Sequence, residues 1–419
     1  MVSKKDIISG LDIGTSSIRV VMGQVVADGR LSIIGAAETP SEGISRGSVS
    51  SIEEAVSCIS ETIEKCERMT GQRIDKIVVG ISGAHIKTLS SKGVVAVAKA
   101  NEQVEDSDVE RALEVAESTT TLPNHEVLHV LPISYNLDDQ KGLKEPQGMS
   151  GVRLEVETQV VMALTSQVKN LTKVIYRTGV DIETIVFSIL STAEAVLTPK
   201  QKDLGVAVVN IGAATTSLIV FEEGNILHTA VLPVGAGHIT NDLAIGLKTS
   251  VAVAEAVKID HAQAISEGIA KRDEVDLHKY SEEEKKGSYV FKKDIAEICE
   301  ARMEEIFSLI NEELKKIGKD GKLPAGVILT GGGAKLPLVE DLAKNILGLP
   351  AFLGLPVNRN FAIDKINDLE YTTALGLVIW ANQNINFSHG FLSNLSSFSS
   401  AGKTGSKLKN WFKSIWPSS

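Results

Sequence analysis

The chain holds 419 residues, 53 of them acidic and 43 Lys or Arg, for a formal charge of −10; 43% are hydrophobic and 23% charged. That length exceeds what one core serves, so two or more lobes are expected. The acidic balance is unsuited to nucleic-acid phosphates, and no run of about 18 apolar residues reads as a bilayer span. Cys58, Cys66 and Cys299 form no CxxC pair and fit a reducing cytosol better than a disulfide framework. The start, MVSKKDIISG, lacks an apolar stretch behind its lysines, so it does not read as a signal peptide, and a cytoplasmic protein is expected.

In chain order, residues 6–25 (DIISGLDIGTSSIRVVMGQV) predict a β-hairpin, with strands over Ile7–Leu11 and Ile18–Val21 around a small, hydroxyl-rich turn. Strand-like runs follow at Ile86–Leu89, Gly93–Ala98, Val127–Leu137 and Arg153–Leu164. Between them EDSDVERALEVAEST predicts an acidic-capped helix with Val109, Ala112, Leu113 and Ala116 on one face. Residues 204–224 (LGVAVVNIGAATTSLIVFEEG) repeat the opening plan, with strands Val206–Val209 and Leu218–Phe221. Gly14, Thr15, Ser16 and Ser17 in the first turn, and Gly212, Ala213, Ala214 and Thr215 in the second, leave backbone amides bare of bulk. Such amides converge readily on an anion. Asp12 ends the first strand, where a carboxylate suits Mg²⁺ directly or through water. A tight turn needing Gly and Ser explains one such hairpin equally well; two copies in separate halves favour a ligand.

Further on, AGVILTGGGAKLPLVEDLAKNIL (325–347) runs a strand, Val327–Leu329, into Gly331–Gly333 and an amphipathic helix bearing Leu338, Leu342 and Ile346. Three glycines at that switch let a flat ligand group approach the main chain. The segment is neither a GxGxxG fingerprint nor a P-loop, and GKT at 402–404 fails as a P-loop because position 397 is Ser397. After Glu370 there is no acidic residue but four lysines. Residues 381–406 read as a Ser/Asn/Gly linker. In KLKNWFKSIW, Leu408, Trp411, Phe412, Ile415 and Trp416 share one helical face, flanked by Lys407, Lys409 and Lys413 and ended by Pro417. Ten residues are too few to stay helical in water, so the helix is expected to form against an anionic membrane, or else on the protein's own body or a protein groove.

These elements together resemble the actin, chaperone and sugar-kinase superfamily. Two phosphate hairpins, one per lobe, clamp ATP there, and a Gly-rich turn covers the adenosine. The resemblance implies an α/β, actin-like two-lobed fold of duplicated ribonuclease-H-like domains. It extends the ATP site to Asn210 at the second strand end, Gly235 and Gly237 in LPVGAGHITNDLAIGL, and Ala334 beside the three glycines. It also implies Glu255 and Lys258 in SVAVAEAVKIDHA, which otherwise make a solvated helix face. FSILSTAEAVL (187–197) and TTALGLVIW (372–380) resemble the connecting helices, with Ala374 and Gly376 permitting a close crossing. Within the superfamily the whole chain, LDIGTSSI included, is most similar to the bacterial cell-division family FtsA. That resemblance implies subdomain 1A over 1–84, 166–196 and 363–380, an α+β insert called 1C over 85–165, 2A over 197–228 and 305–362, and 2B over 229–304.

The same resemblance implies a protein that polymerises head to tail and tethers filaments of FtsZ to the cytoplasmic face of the inner membrane at the division septum. The helix 407–416 would serve as the membrane anchor, and later division proteins would be recruited through 1C. The FtsZ tail would meet 2B, with Lys292, Lys293 and Arg302 as candidate contacts or, equally, ordinary solvated residues. One departure bears on turnover: Asn210 stands where the superfamily usually has Asp, and the first connection offers only Glu194, nearly two turns in. ATP–Mg²⁺ binding with slow or negligible hydrolysis is therefore expected, and enzyme status stays open. An actin-like platform protein of pilus assembly, or a kinase of the superfamily, is the alternative.

Overall fold

The structure is a computed structural model that describes residues 7–26, 29–98, 103–270, 272–282, 284, 287–357, 361 and 363–385. The expected membrane helix, 407–416, and most of the linker lie outside the described residues. The first lobe opens with β1 (Ile7–Ile13), β2 (Ser17–Val25) and β3 (Leu31–Pro40), then a small hairpin of β4 (Ile44–Ser45) and β5 (Ser48–Val49). Helix α1 (Ile52–Thr70) ends on Gly71, whose φ of 67° provides a left-handed C-terminal cap. It leads to β6 (Lys76–Ile81).

An insert follows: β7 (Ile86–Ala96), α2 (Asp106–Thr120), β8 (His125–Leu137), β9 (Gln140–Leu143) and β10 (Arg153–Leu164). Its strands form their own sheet, ordered β7-β10-β8-β9. Val109, Ala112, Leu113 and Ala116 bury that face of α2 against Val130, Tyr135, Leu154 and Val156, a core separate from those of the lobes. The runs expected at Ile86–Leu89 and Gly93–Ala98 join into one strand. Gly93 is where α2 presses closest, since a Cβ there would lie 1.8 Å from the Ala112 carbonyl oxygen.

The chain returns to the first lobe as α3 (Thr165–Arg177), β11 (Asp181–Phe187) and α4 (Ser188–Val196). The second lobe comprises α5 (Pro199–Leu204), β12 (Val206–Ile211), β13 (Thr216–Glu222), β14 (Asn225–Leu232), α6 (Ala236–Leu247) and α7 (Val251–His261). It continues through β15 (Glu274–Asp276), β16 (Tyr289–Phe291), α8 (Lys292–Lys316), β17 (Val327–Thr330), α9 (Val339–Leu347) and β18 (Ala351–Leu353). Helix α10 (Thr372–Ile385) crosses back to the first lobe, packing on α4; a Cβ at Gly376 would lie 2.0 Å from the Ser191 oxygen.

The two main sheets share one plan. The first runs β3-β2-β1-β6-β11 and the second β14-β13-β12-β17-β18, each an antiparallel meander followed by two parallel strands. The central strands are apolar on both faces, as in Leu11, Val78 and Val79 or Val206–Val209, because layers cover both sides. One expectation is corrected: Leu338 does not join the buried face of α9. It precedes the helix with φ of 65° and is 45% exposed, while Val339, Leu342, Ala343 and Leu347 carry the packing.

Candidate functional site: a cleft between two matched hairpins

Both hairpins have the same register. Asp12 pairs with Arg19 and Ile13 with Ile18; Asn210 pairs with Ser217 and Ile211 with Thr216. Each four-residue loop closes through one bond, Gly14 N–H to the Ser17 carbonyl at 3.0 Å and Gly212 N–H to the Thr215 carbonyl at 2.9 Å. The loops face a common cleft of about 900 Å³ between the lobes. Asp12, Gly14, Thr15, Ser16, Asn210, Gly212, Ala213, Ala214, Thr215, Gly237, Glu255, Lys258, Gly331, Gly332 and Gly333 line it.

Three expected residues do not. Ser17 is 7% exposed within β2, Ala334 is 1% exposed in the second lobe's core, and Gly235 is buried behind the second loop. Gly235 still shapes the site: a Cβ there would sit 2.4 Å from the Gly212 oxygen. The start of α6 consequently braces that loop through Ala236 N–H to the Gly212 carbonyl (2.8 Å) and Gly237 N–H to the Ala213 carbonyl (2.7 Å). The first loop is braced differently, by Ser41 N–H to the Ser16 carbonyl (3.0 Å) and Gly47 N–H to the Thr15 hydroxyl (3.3 Å).

Burial pushes the Asp12 carboxyl up to about 6, against the pull of the Arg19 cation. Arg19, missed in the sequence, is 8% exposed and lines the cleft. Its Nη2 donates to Glu38 at 2.5 Å and to Glu370, while its guanidinium lies 5.5 Å over the Tyr371 ring. Glu370 is also 3.4 Å from Lys335, which pairs with Asp368 at 2.8 Å. An ion-pair chain thus runs from the first lobe's hairpin to the Gly-rich turn of the second. The β-strand period offered a signal for Arg19, which faces Asp12 across the hairpin.

At the far end, Lys258 Nζ donates to Glu255 Oε2 (2.6 Å) and to the Thr240 hydroxyl (2.9 Å), and Thr240 donates to Glu255 as well. Glu255 and Lys258 therefore form an ordered polar wall. Asn210 Nδ2 donates to Thr373 Oγ1 at 3.0 Å, tying the second hairpin to α10. Ser188, first residue of α4, also lines the cleft, whereas Glu194 is held by Lys202 at 2.7 Å. Away from the cleft, Lys292 and Lys293 open α8, and Arg302 grips Asp242 through two bonds of 2.7 and 2.9 Å and pairs with Glu305. Lys293 pairs with Glu297 at 3.4 Å.

The donor set suits a phosphate-bound Mg²⁺. Such a metal takes one or two carboxylates, with phosphates and water completing its shell, and Asp12 is a carboxylate whose charge is poorly solvated.

Similarity to known proteins follows the same lines. A family model for "Cell division protein FtsA" matches residues 207–376, and one for "SHS2 domain inserted in FTSA" matches 83–162, the segment of the insert. FtsA of Pseudomonas aeruginosa is 35% identical over 407 residues, covering 96% of this chain and 97% of that protein. FtsA of Escherichia coli is 31% identical over 386 residues, covering 90% and 91%. Among solved structures, a chain of the PilM–PilN type IV pilus biogenesis complex superposes with a TM-score of 0.63 at 18% identity, covering 89% of this chain and 97% of that one. MreB5 of Spiroplasma citri bound to AMPPNP superposes at 0.55 and 12% identity, covering 92% and 100%. With identity above 30% along nearly the full length of its relatives, the chain belongs to the FtsA family of cell division proteins, on an actin-like fold with an inserted SHS2 domain.

Proposed function

We propose that the cleft binds ATP with Mg²⁺ and that the protein is an actin-like adaptor linking FtsZ filaments to the cytoplasmic membrane at the septum. The observation that carries the nucleotide reading is the pair of register-matched hairpins aimed at one cleft. Their loop amides and hydroxyls would bind phosphate oxygens, Gly331–Gly333 would lie against the adenosine, and Glu255 and Lys258 would meet ribose and base. Asp12 would hold Mg²⁺, directly or through water, and the cation would offset phosphate charge. Hydrolysis is slow in this reading, because Asn210 lacks a negative charge and Glu194, the acid of the first connection, is paired with Lys202. Nucleotide then acts as a latch between lobe arrangements. Sustained phosphate release at the rate of an active kinase would overturn it.

Membrane attachment rests on the sequence of 407–416, with Lys407, Lys409 and Lys413 beside an apolar face. One copy would anchor weakly and a polymer firmly, by avidity. Sedimentation with acidic-lipid vesicles tests this: the intact chain pellets and a chain ending at Ser406 stays in solution. Equal pelleting by both rules the anchor out. For the FtsZ tail, Arg302 pairs with Asp242 and Glu305 and Lys293 pairs with Glu297, which leaves Lys292 the candidate with the fewest ion pairs among the described residues. Charge reversal at Lys292 is expected to weaken binding of the tail peptide in calorimetry. An unchanged affinity removes it.

A further inference from the structure

The insert is joined covalently to the first lobe alone, leaving after β6 and returning into α3. Its side chains nevertheless reach the second lobe. Gln159 on β10 is 4% exposed, and its Oε1 accepts from Thr229 N–H at 2.8 Å and from the Thr229 hydroxyl at 3.1 Å. Thr88 on β7 donates its hydroxyl to the Thr229 carbonyl at 2.7 Å. Thr229 lies on β14, the edge strand of the second lobe's sheet, so the insert satisfies both outward backbone groups of one edge residue.

The chain of bonds continues inward. Gln159 Nε2 lies 2.9 Å from His228 Nδ1, and His228 Nε2 lies 2.8 Å from Glu313 Oε2 on α8. A single neutral tautomer satisfies both contacts, the His228 Nε2–H donating to Glu313 and Nδ1 accepting from Gln159. Closer to the cleft, Ser82 and Ser217 hydroxyls meet at 3.0 Å, Ser82 preceding the insert and Ser217 standing in the second phosphate-type hairpin. Buried polar bonds of this kind do not stretch gradually: moved apart, their donors and acceptors are left unpaired.

We propose that the Gln159–Thr229–His228 junction couples the inserted sheet to the state of the cleft, so that the insert follows the second lobe when nucleotide shifts the lobes. A partner gripping the insert in its docked position then changes nucleotide affinity by the same factor that nucleotide changes the partner's. The coupling rests on the nucleotide reading of the cleft.

The test is hydrogen–deuterium exchange on the full chain with and without Mg–AMPPNP, with nucleotide binding followed in parallel by calorimetry. In the wild type, nucleotide is expected to slow exchange in 86–96 and 153–164 by roughly fivefold or more, as in ordinary site–site coupling. In Gln159→Ala, the loops at 14–17 and 212–215 still respond while the insert's response falls away. Thr88→Val, which keeps the side-chain shape and removes one donor, gives the same pattern in weaker form and serves if the first variant folds poorly. An insert that responds alike in wild type and both variants overturns the coupling. So does an unresponsive wild-type insert when calorimetry shows binding. If calorimetry shows none, the nucleotide reading itself has failed and the coupling falls with it.

Discussion

The hairpins at 12–19 and 210–217 have the same backbone and different chemistry. Register, loop length and the closing Gly N–H bond match. At the strand end the first carries Asp12 opposite Arg19; the second carries Asn210 opposite Ser217. The contrast extends to what braces each loop: a neighbouring turn at Ser41 and Gly47 in one, the first turn of α6 in the other. Duplication kept the frame, which depends on small residues and backbone bonds, and let the charge diverge. At these matched positions the first hairpin carries a carboxylate facing a guanidinium, and the second carries only neutral side chains.

Asp12→Asn makes the two alike and is expected to have the largest effect, lowering Mg–nucleotide affinity by about 10–100-fold, the scale of losing a group that orders a metal shell. Asn210→Ala should cost clearly less. Calorimetry with Mg²⁺ and with EDTA checks this, and equal losses would erase the distinction between the hairpins.

Gly235→Ala probes the bracing. With a Cβ only 2.4 Å from the Gly212 oxygen, α6 must move off the second loop, and a loss of about 1–3 kcal/mol is expected, as for overpacking. Urea unfolding measures it. The Gly235 backbone is extended, with φ of −162°, so an alanine there adds the clash with the loop and no left-handed strain.

The smallest effect is a pH dependence confined to one hairpin. Burial pushes the Asp12 carboxyl up to about 6, above its ordinary range, so its ionisation lowers folding stability as pH rises from about 4 through 6. Metal needs the ionised form. Mg–nucleotide affinity should therefore fall about twofold at pH 6 and about tenfold at pH 5 relative to neutral pH. In Asp12→Asn this component of the slope is lost; an unchanged slope would assign it elsewhere.

Where local chemistry sets the backbone, the sequence was informative. Gly14 and Gly212 with their hydroxyl-rich neighbours marked both hairpins, and β10 has the ends expected for it, Arg153 to Leu164. The helical stripe from Val109 to Ala116 is the one buried. The placement was not legible where a residue's neighbours are distant in the chain. Ser17 and Ala334 look like their cleft-lining neighbours, yet strand alternation and the turn after Gly333 put them in the walls. Lys335, Glu370 and Arg19 look like scattered surface charges until β2, the Gly-rich turn and the start of α10 converge.

The residue order alone determined that two glycine-bearing hairpins, a third glycine turn, an inserted α+β unit and a basic aromatic terminus exist in this chain, because turn conformation and apolar periodicity are properties of a few consecutive residues. Only the tertiary structure decided that both loops face one cleft, that Arg19 and Lys335 share Glu370 across it, and that Gln159 joins the insert to the far lobe. Those contacts join residues separated by as many as 351 positions. They exist because sheet pairing and core packing, rather than local propensity, bring the segments together.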